Sequence, residues 1–249
     1  MPLWIYTLSS YIDHVDKFKL DVIDTRFTKI DEAMDSKIFI FSGINQDYHS
    51  IKQSHEYIKR KFTHSKFIIG GPICWSFNEA GQINKLKYFD HIVIGDGELI
   101  IAEIVNNIIN ENSMEKIIEV KNRFDLNRSK EIYYSLIEKS INQYYGAVIE
   151  IQRGCPFLCE FCDIRVLPDN NTTHCKPIKI VIKEIETLME MGKKQFILSC
   201  DNFIGDPVWV EEFLDQLISL QERTNNFVSI YTWVTININN YPAKVLSVS

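Results

Sequence analysis

The sequence predicts an α/β fold in two parts, a small doubly wound sheet followed by a second set of βα units. Three observations carry the prediction. Short apolar runs of strand length alternate with segments of helical periodicity along the chain, the pattern of parallel sheets covered by helices. Several of these runs end in glycine, which suits a tight exit from a strand. With 249 residues, 45% hydrophobic and 12% aromatic, the chain has apolar material for one large or two small cores.

In order along the chain, "PLWIYTLSSYI" reads as a helix beginning at residue 2. "KLDVID" (19–24), "KIFIFSG" (37–43), "KFIIGG" (66–71) and "HIVIGDG" (91–97) read as buried strands. Between them, Tyr48, Ile51, His55, Ile58 and Phe62 recur at helical spacing, and so do Ile101, Ile104, Val105 and Ile108. Residues 1–125 are therefore expected to form the first domain. The charged, less regular segment 126–145 is expected to be the connection. From 146 the pattern resumes: a strand in "GAVIEIQ" (146–152), a cysteine-rich loop, and a helix with Ile178, Val181, Ile182, Ile185 and Leu188 on one face. On that helix Glu184 lies beside Lys183 and Glu186 and reads as part of a solvated face. A strand "QFILSC" (195–200) follows, then a helix over 206–223 with Asp206 as N-cap and Pro207 behind it, and a strand "FVSIYTWVTI" (227–236). No internal repeat or low-complexity segment is present.

A net charge of −6 argues against a nucleic-acid partner held by general electrostatics, which requires a basic face. No apolar run approaches the ~18 residues of a membrane span, and the amino terminus is too polar for a signal peptide. A cytoplasmic protein is expected. In such a reducing compartment a tight cysteine cluster binds metal or does redox work more often than it forms disulfides.

The cluster is "RGCPFLCEFCDI" (153–164), with Cys155, Cys159 and Cys162 at i, i+4 and i+7. Three ligands so close converge only if the backbone curls around a point, and Gly154 and Pro156 suit that turn. Three readings are open. The thiols are unligated, or they bind zinc with His174 or Cys175 as the fourth ligand, or they hold three irons of a 4Fe-4S cluster whose fourth iron lacks a protein ligand and is free to coordinate a substrate or cofactor.

"CPFLCEFC", with the aromatic Phe161 before the third cysteine, resembles the CxxxCxxC motif of the radical S-adenosylmethionine (SAM) enzymes. "EIQRGCPFLCEFCDI", "KIVIKEIETLMEMG" and "CDNFIGDPVWVEEFLDQLISLQ" extend the likeness to the radical SAM proteins with a cobalamin-binding domain, a group that includes hopanoid-type methylases. The resemblance implies a Rossmann-like amino-terminal domain and a partial radical SAM (βα) barrel over 146–249. It implies a 4Fe-4S cluster on Cys155, Cys159 and Cys162, with S-adenosylmethionine at the fourth iron, near Phe161, Asp201 and Asn202. Reductive cleavage there gives methionine and a 5'-deoxyadenosyl radical, the cofactors carrying the hard chemistry. Cobalamin is implied at Ser42, Gly70, Gly71 and the turn Gly95, Asp96, Gly97 and Glu98, although glycines at strand ends also serve ordinary turns. A flavodoxin- or ferredoxin-type reductant and a small-molecule or lipid-like substrate complete the implied set.

The sequence departs from that family in three places. The family has another strand ahead of the first helix, an Asp pair where this chain has Cys200 and Asp201, and a more glycine- and arginine-rich stretch in place of "RVLPDNNTTHCKP" (165–177). Its barrel has six βα units, whereas three strands are legible here before "INNYPAKVLSVS" (238–249). An unpaired edge at the last strand is expected to need cover, for instance from a partner chain completing the barrel. A non-catalytic module retaining a metal site is the alternative function.

Overall fold

The computed structural model describes residues 1–162, 164 and 170–235. Part of "RVLPDNNTTHCKP" and all of 236–249, including the end of the last expected strand, lie outside the described residues. The chain opens with α1 (Leu3–Ser9) and divides into two compact units, one of Tyr11–Phe124 and one of Met1–Ser10 with the chain from Asp125 onward.

The unit of Tyr11–Phe124 runs β1 (Ile38–Ser42), α2 (Tyr48–Lys61), β2 (Lys66–Gly70), α3 (Pro72–Glu79), β3 (His91–Ile94), α4 (Ile101–Ile109) and β4 (Ile117–Glu119). The four strands form one parallel sheet in the order β1-β2-β3-β4. Because side chains alternate across a strand, each strand feeds both faces. Phe67, Ile69, Ile92 and Ile94 pack with Ile51 and Ile58 of α2 and Ile73, Cys74 and Phe77 of α3. Ile68 and Val93 face the other way, onto Ile104 and Ile108 of α4. Each such apolar side chain contributes about 1.5–3 kcal/mol on burial. Helices thus cover both faces, as a doubly wound sheet requires.

Three local differences have physical reasons. "KLDVID" is not a strand: Asp24 accepts from Arg26 Nε and Nη2 at 2.9 and 2.6 Å, and its carbonyl accepts from Phe27 N, so the chain turns there while Ile23 packs on the core. Helix α3, not expected from periodicity, starts on Pro72 just after Gly71, where a first-turn proline favours a helix start. Strand β4 is only three residues long, too short to show a period.

The second unit carries α5 (Tyr134–Ile137), β5 (Ala147–Glu150), β6 (Gln152–Arg153), β7 (His174–Cys175), α6 (Ile178–Glu190), β8 (Gln195–Ser199), α7 (Pro207–Thr224) and β9 (Ser229–Tyr231). Strands β5, β8 and β9 form a parallel sheet in the order β5-β8-β9, while β6 and β7 pair antiparallel beside the cysteine loop. Helices α6 and α7 bury Val181, Ile185, Leu188, Val210, Phe213 and Leu214. Asp206 caps α7 as expected, its Oδ1 accepting from Trp209 N at 3.1 Å.

Three expectations are corrected here. Helix α1 belongs to this unit rather than the first: Tyr6 is fully buried, its hydroxyl meets Ser140 Oγ at 2.7 Å, and its carbonyl accepts from Tyr133 N. Segment 126–145 is no free connection, because Leu126, Ile132, Leu136, Ile137, Ile141 and Tyr144 are buried. Glu184 is not solvated. It is wholly buried, paired with Lys176 at 2.6 Å, and accepts from Ile132 N at 3.0 Å.

Candidate functional site

The cysteine loop leaves the sheet at the carboxyl end of β5. Arg153, at its entry, forks onto Glu150 with Nε and Nη2 at 2.7 and 3.0 Å from the two carboxylate oxygens, a bidentate pair just before the first cysteine. Gly154 has φ +89°, and a Cβ there would run into the carbonyl oxygen of Thr172, so this corner admits only glycine. Its N–H donates to Asp201 Oδ2 at 2.6 Å, and Cys155 N–H donates to Asn170 O at 2.9 Å. The base of the loop is therefore held from two sides before its first thiol.

Beyond that base the loop faces solvent. Cys159 is exposed and Cys155 and Cys162 are partly so, with Cys162 N–H donating to Cys159 O at 3.1 Å. Phe161 is 92% exposed and Leu158 63%. Among the described residues no three His, Cys, Asp or Glu side chains converge as a metal-binding group. The donor chemistry suits a cluster nonetheless: three accessible soft ligands lie within eight residues on a corner that is already fixed.

The other thiols differ. Burial pushes Cys74 up to about 12 in the core of the first unit. Burial, helped by Asp206, pushes Cys175 up to about 12 as well, its Sγ directed to Asp206 Oδ2 at 3.9 Å. Burial also raises Cys200, whose Sγ meets Thr232 Oγ1 at 3.2 Å. His174 Nε2 is already bonded to Thr172 Oγ1 at 3.0 Å.

Asp201 and Asn202 follow β8 at the same edge of the sheet as the loop. Asn202 is 1% exposed, and its Nδ2 has no partner among the described residues. Gln152, with its amide nitrogen turned toward the carbonyls, donates to Asn202 O at 3.1 Å and Phe203 O at 3.3 Å. Segments 152–154 and 201–203 are thus clasped at two points. Neither Gln152 nor the Arg153–Glu150 fork is visible as a site feature in sequence. The fork has an i, i+3 signal, but the Gln152 contact spans fifty residues and has none.

In the first unit, Ser42, Gly70, Gly71 and the turn from Gly95 to Glu98 lie at the carboxyl ends of β1, β2 and β3, three neighbouring strands. Two of the glycines answer to local packing. Gly71, at φ +84°, would drive a Cβ into Ser42 Oγ, and Gly95, at φ +107°, into the carbonyl oxygen of Val120. Asp96 Oδ2 accepts from Phe124 N at 2.6 Å, which closes the turn before Gly97 and Glu98.

Comparison with known proteins fits this geometry. No protein-family profile matches the chain. It is 27% identical over 226 residues to the uncharacterized methyltransferase sll1242 of Synechocystis sp., which covers 89% of this chain and 40% of that protein. It is 28% identical over 159 residues to the hopanoid C-2 methylase of Rhodopseudomonas palustris, covering 62% of this chain and 29% of that protein. The chain thus spans less than half the length of these relatives. Its fold matches TsrM of Kitasatospora setae, a radical S-adenosylmethionine methyltransferase solved with cobalamin and a 4Fe-4S cluster bound, at TM-score 0.72 and 13% identity, over 99% of this chain and 55% of that one. Fold and loop together define an α/β protein with a parallel sheet in each unit and a three-cysteine corner on the second. In sequence the chain is similar to these methyltransferases, and in fold to a radical S-adenosylmethionine methyltransferase. Among the described residues no helix is long and apolar enough to cross a membrane.

Proposed function

We propose that this chain binds a 4Fe-4S cluster through Cys155, Cys159 and Cys162 and serves S-adenosylmethionine-dependent radical chemistry, of the methyl-transfer kind in the light of its relatives. The observation that carries the reading is the corner itself: three accessible thiols follow a glycine pinned by Asp201, at the carboxyl edge of a parallel βα sheet. When bound, the cluster and S-adenosylmethionine supply reductive cleavage of the sulfonium bond to methionine and a 5'-deoxyadenosyl radical. The chain's own residues hold and orient. The three thiolates bind three irons, Phe161 offers an apolar face to the adenine, and Asp201 and Asn202 line the neighbouring strand end. We assign cobalamin to the edge formed by Ser42, Gly70, Gly71, Gly95, Gly97 and Glu98, and the electron to a flavodoxin- or ferredoxin-type donor.

The test is anaerobic reconstitution with iron and sulfide, followed by iron and zinc analysis and low-temperature EPR of the reduced protein with and without S-adenosylmethionine. About four irons per chain and a spectrum perturbed by S-adenosylmethionine are expected. Stoichiometric zinc with no such signal would refute the reading, and a loaded cluster that yields no 5'-deoxyadenosine above background would reduce the chain to a binding module. A visible-absorbance titration tests cobalamin separately.

A further inference from the structure

We propose that Asp201 is a positioning residue for the first cluster ligand, acting through the backbone of Gly154. The inference rests on the cluster reading above and adds a residue that contacts neither the metal nor a thiol in the geometry described.

Gly154 sits immediately before Cys155 in a conformation open only to glycine, with the Thr172 carbonyl where a side chain would be. A residue so placed can swing unless something holds its peptide. Asp201 does, at 2.6 Å, across forty-seven residues of chain. Bonds to an ionised acceptor are stronger than neutral ones. Asp201 is itself anchored: it follows β8, which pairs with β5, and Gln152 donates to the Asn202 and Phe203 carbonyls just beyond it. Phe203 N–H in turn donates to Trp233 O at 2.8 Å. The cysteine corner is therefore referenced to the sheet of β5 and β8 as well as to its own loop, and the direction in which Cys155 leaves the backbone is set by the Asp201 carboxylate on one side and by its own bond to Asn170 O on the other.

The experiment uses the full chain with Asp201→Ala, Asp201→Asn and, as a control that destabilises the same unit at a residue bonded to neither Gly154 nor Cys155, Asp206→Ala. Three quantities are read: backbone hydrogen exchange over 151–156 in the metal-free protein, the rate of iron loss to a chelator after reconstitution, and the melting temperature. Asp201→Ala is expected to speed exchange at Gly154 on the order of tenfold to a hundredfold, the range for a lost bond to a charged acceptor, and to speed iron loss alongside. Asp201→Asn keeps an acceptor oxygen but not its charge and is expected to restore part of both. Asp206→Ala is expected to lower the melting temperature while leaving iron loss at the wild-type rate.

Unchanged exchange or unchanged iron retention in Asp201→Ala overturns the positioning role. So does equal iron loss in Asp206→Ala, which would trace the effect to general stability, and so does an Asp201→Asn variant as impaired as the alanine. Wild-type protein that takes up no iron overturns the proposed function instead, a result distinct from wild-type and alanine variant loading and retaining iron alike.

Discussion

The buried pair Lys176–Glu184 is the point at which the second unit is most exposed to a single substitution. The two side chains are 5% and 0% exposed, with Lys176 Nζ 2.6 Å from Glu184 Oε1, and the same oxygen accepts from Ile132 N at 3.0 Å. Glu184→Ala leaves an ammonium without its anion and a buried N–H without its acceptor. Removing one partner of a buried pair costs about 3–5 kcal/mol, of which the orphaned N–H accounts for about 1–3 kcal/mol if it stays dry. Lys176→Met leaves the carboxylate stranded and should cost a similar amount. The double variant Lys176→Met/Glu184→Gln has no buried charge, and the Gln carbonyl can still accept from Ile132 N. It should lie within about 1 kcal/mol of wild type, since the desolvation of both ions is removed with their attraction. The assay is equilibrium urea unfolding followed through Trp209, whose Nε1 donates to Lys176 O at 2.9 Å, with the other tryptophans changed to Phe. A Glu184→Ala cost below about 1 kcal/mol, or a double variant as costly as the sum of the singles, would refute the reasoning.

Three further outcomes follow from the structure. His55 is buried among Phe67, Tyr88 and Phe89, both ring nitrogens lack partners among the described residues, and burial first, then Lys59, holds its pKa below 6.5. The folded state then binds fewer protons than the unfolded one as pH falls below about 6.5, so stability present above that value is lost on acidification, at up to about 1.4 kcal/mol per pH unit; His55→Phe should flatten the slope in urea titrations at several pH values. Asp206→Ala removes the cap of α7 and should cost about 1 kcal/mol by the same unfolding assay. Gly71→Ala forces a side chain at φ +84° against Ser42 Oγ and should destabilise the fold by about 1–3 kcal/mol, read by equilibrium urea unfolding.

Where burial has a period, the sequence showed it. Strands β1, β2, β3, β5 and β8 and helices α2, α4, α6 and α7 all have apolar residues at spacings that survive any tertiary context, and each was legible. Helix α1 shows what periodicity omits: its pattern marks a helix but not which core receives it, and that is settled by the Tyr6 hydroxyl meeting Ser140, 134 residues away. Segment 126–145 failed for the opposite reason. Its buried residues, Leu136, Ile137 and Ile141 among them, lie on a four-residue helix and three-residue 3-10 turns, elements too short to carry an apolar stripe past their charged neighbours. Glu184 failed because its partner Lys176 precedes the helix, whereas its neighbours on the helix made it look solvated.

The cysteine corner divides along the same line between local and distant information. Which residues could hold a metal is written in eight consecutive positions. What fixes the corner is not: the acceptor for Gly154 lies after β8, the acceptor for Cys155 lies at Asn170, and the obstacle that excludes a side chain at Gly154 is the carbonyl of Thr172. The candidate ligands can therefore be read from the loop alone, while the placement of the corner rests on the parallel pairing between β5 and β8. A substitution that slips that pairing by one residue would leave all three thiols in the sequence and move Asp201 out of reach of Gly154, because a one-residue slip turns every side chain of β8 to the opposite face. On the positioning role proposed for Asp201, retaining the three cysteines alone would not preserve the corner in a variant of this chain; the bond between Asp201 and Gly154 must be kept as well.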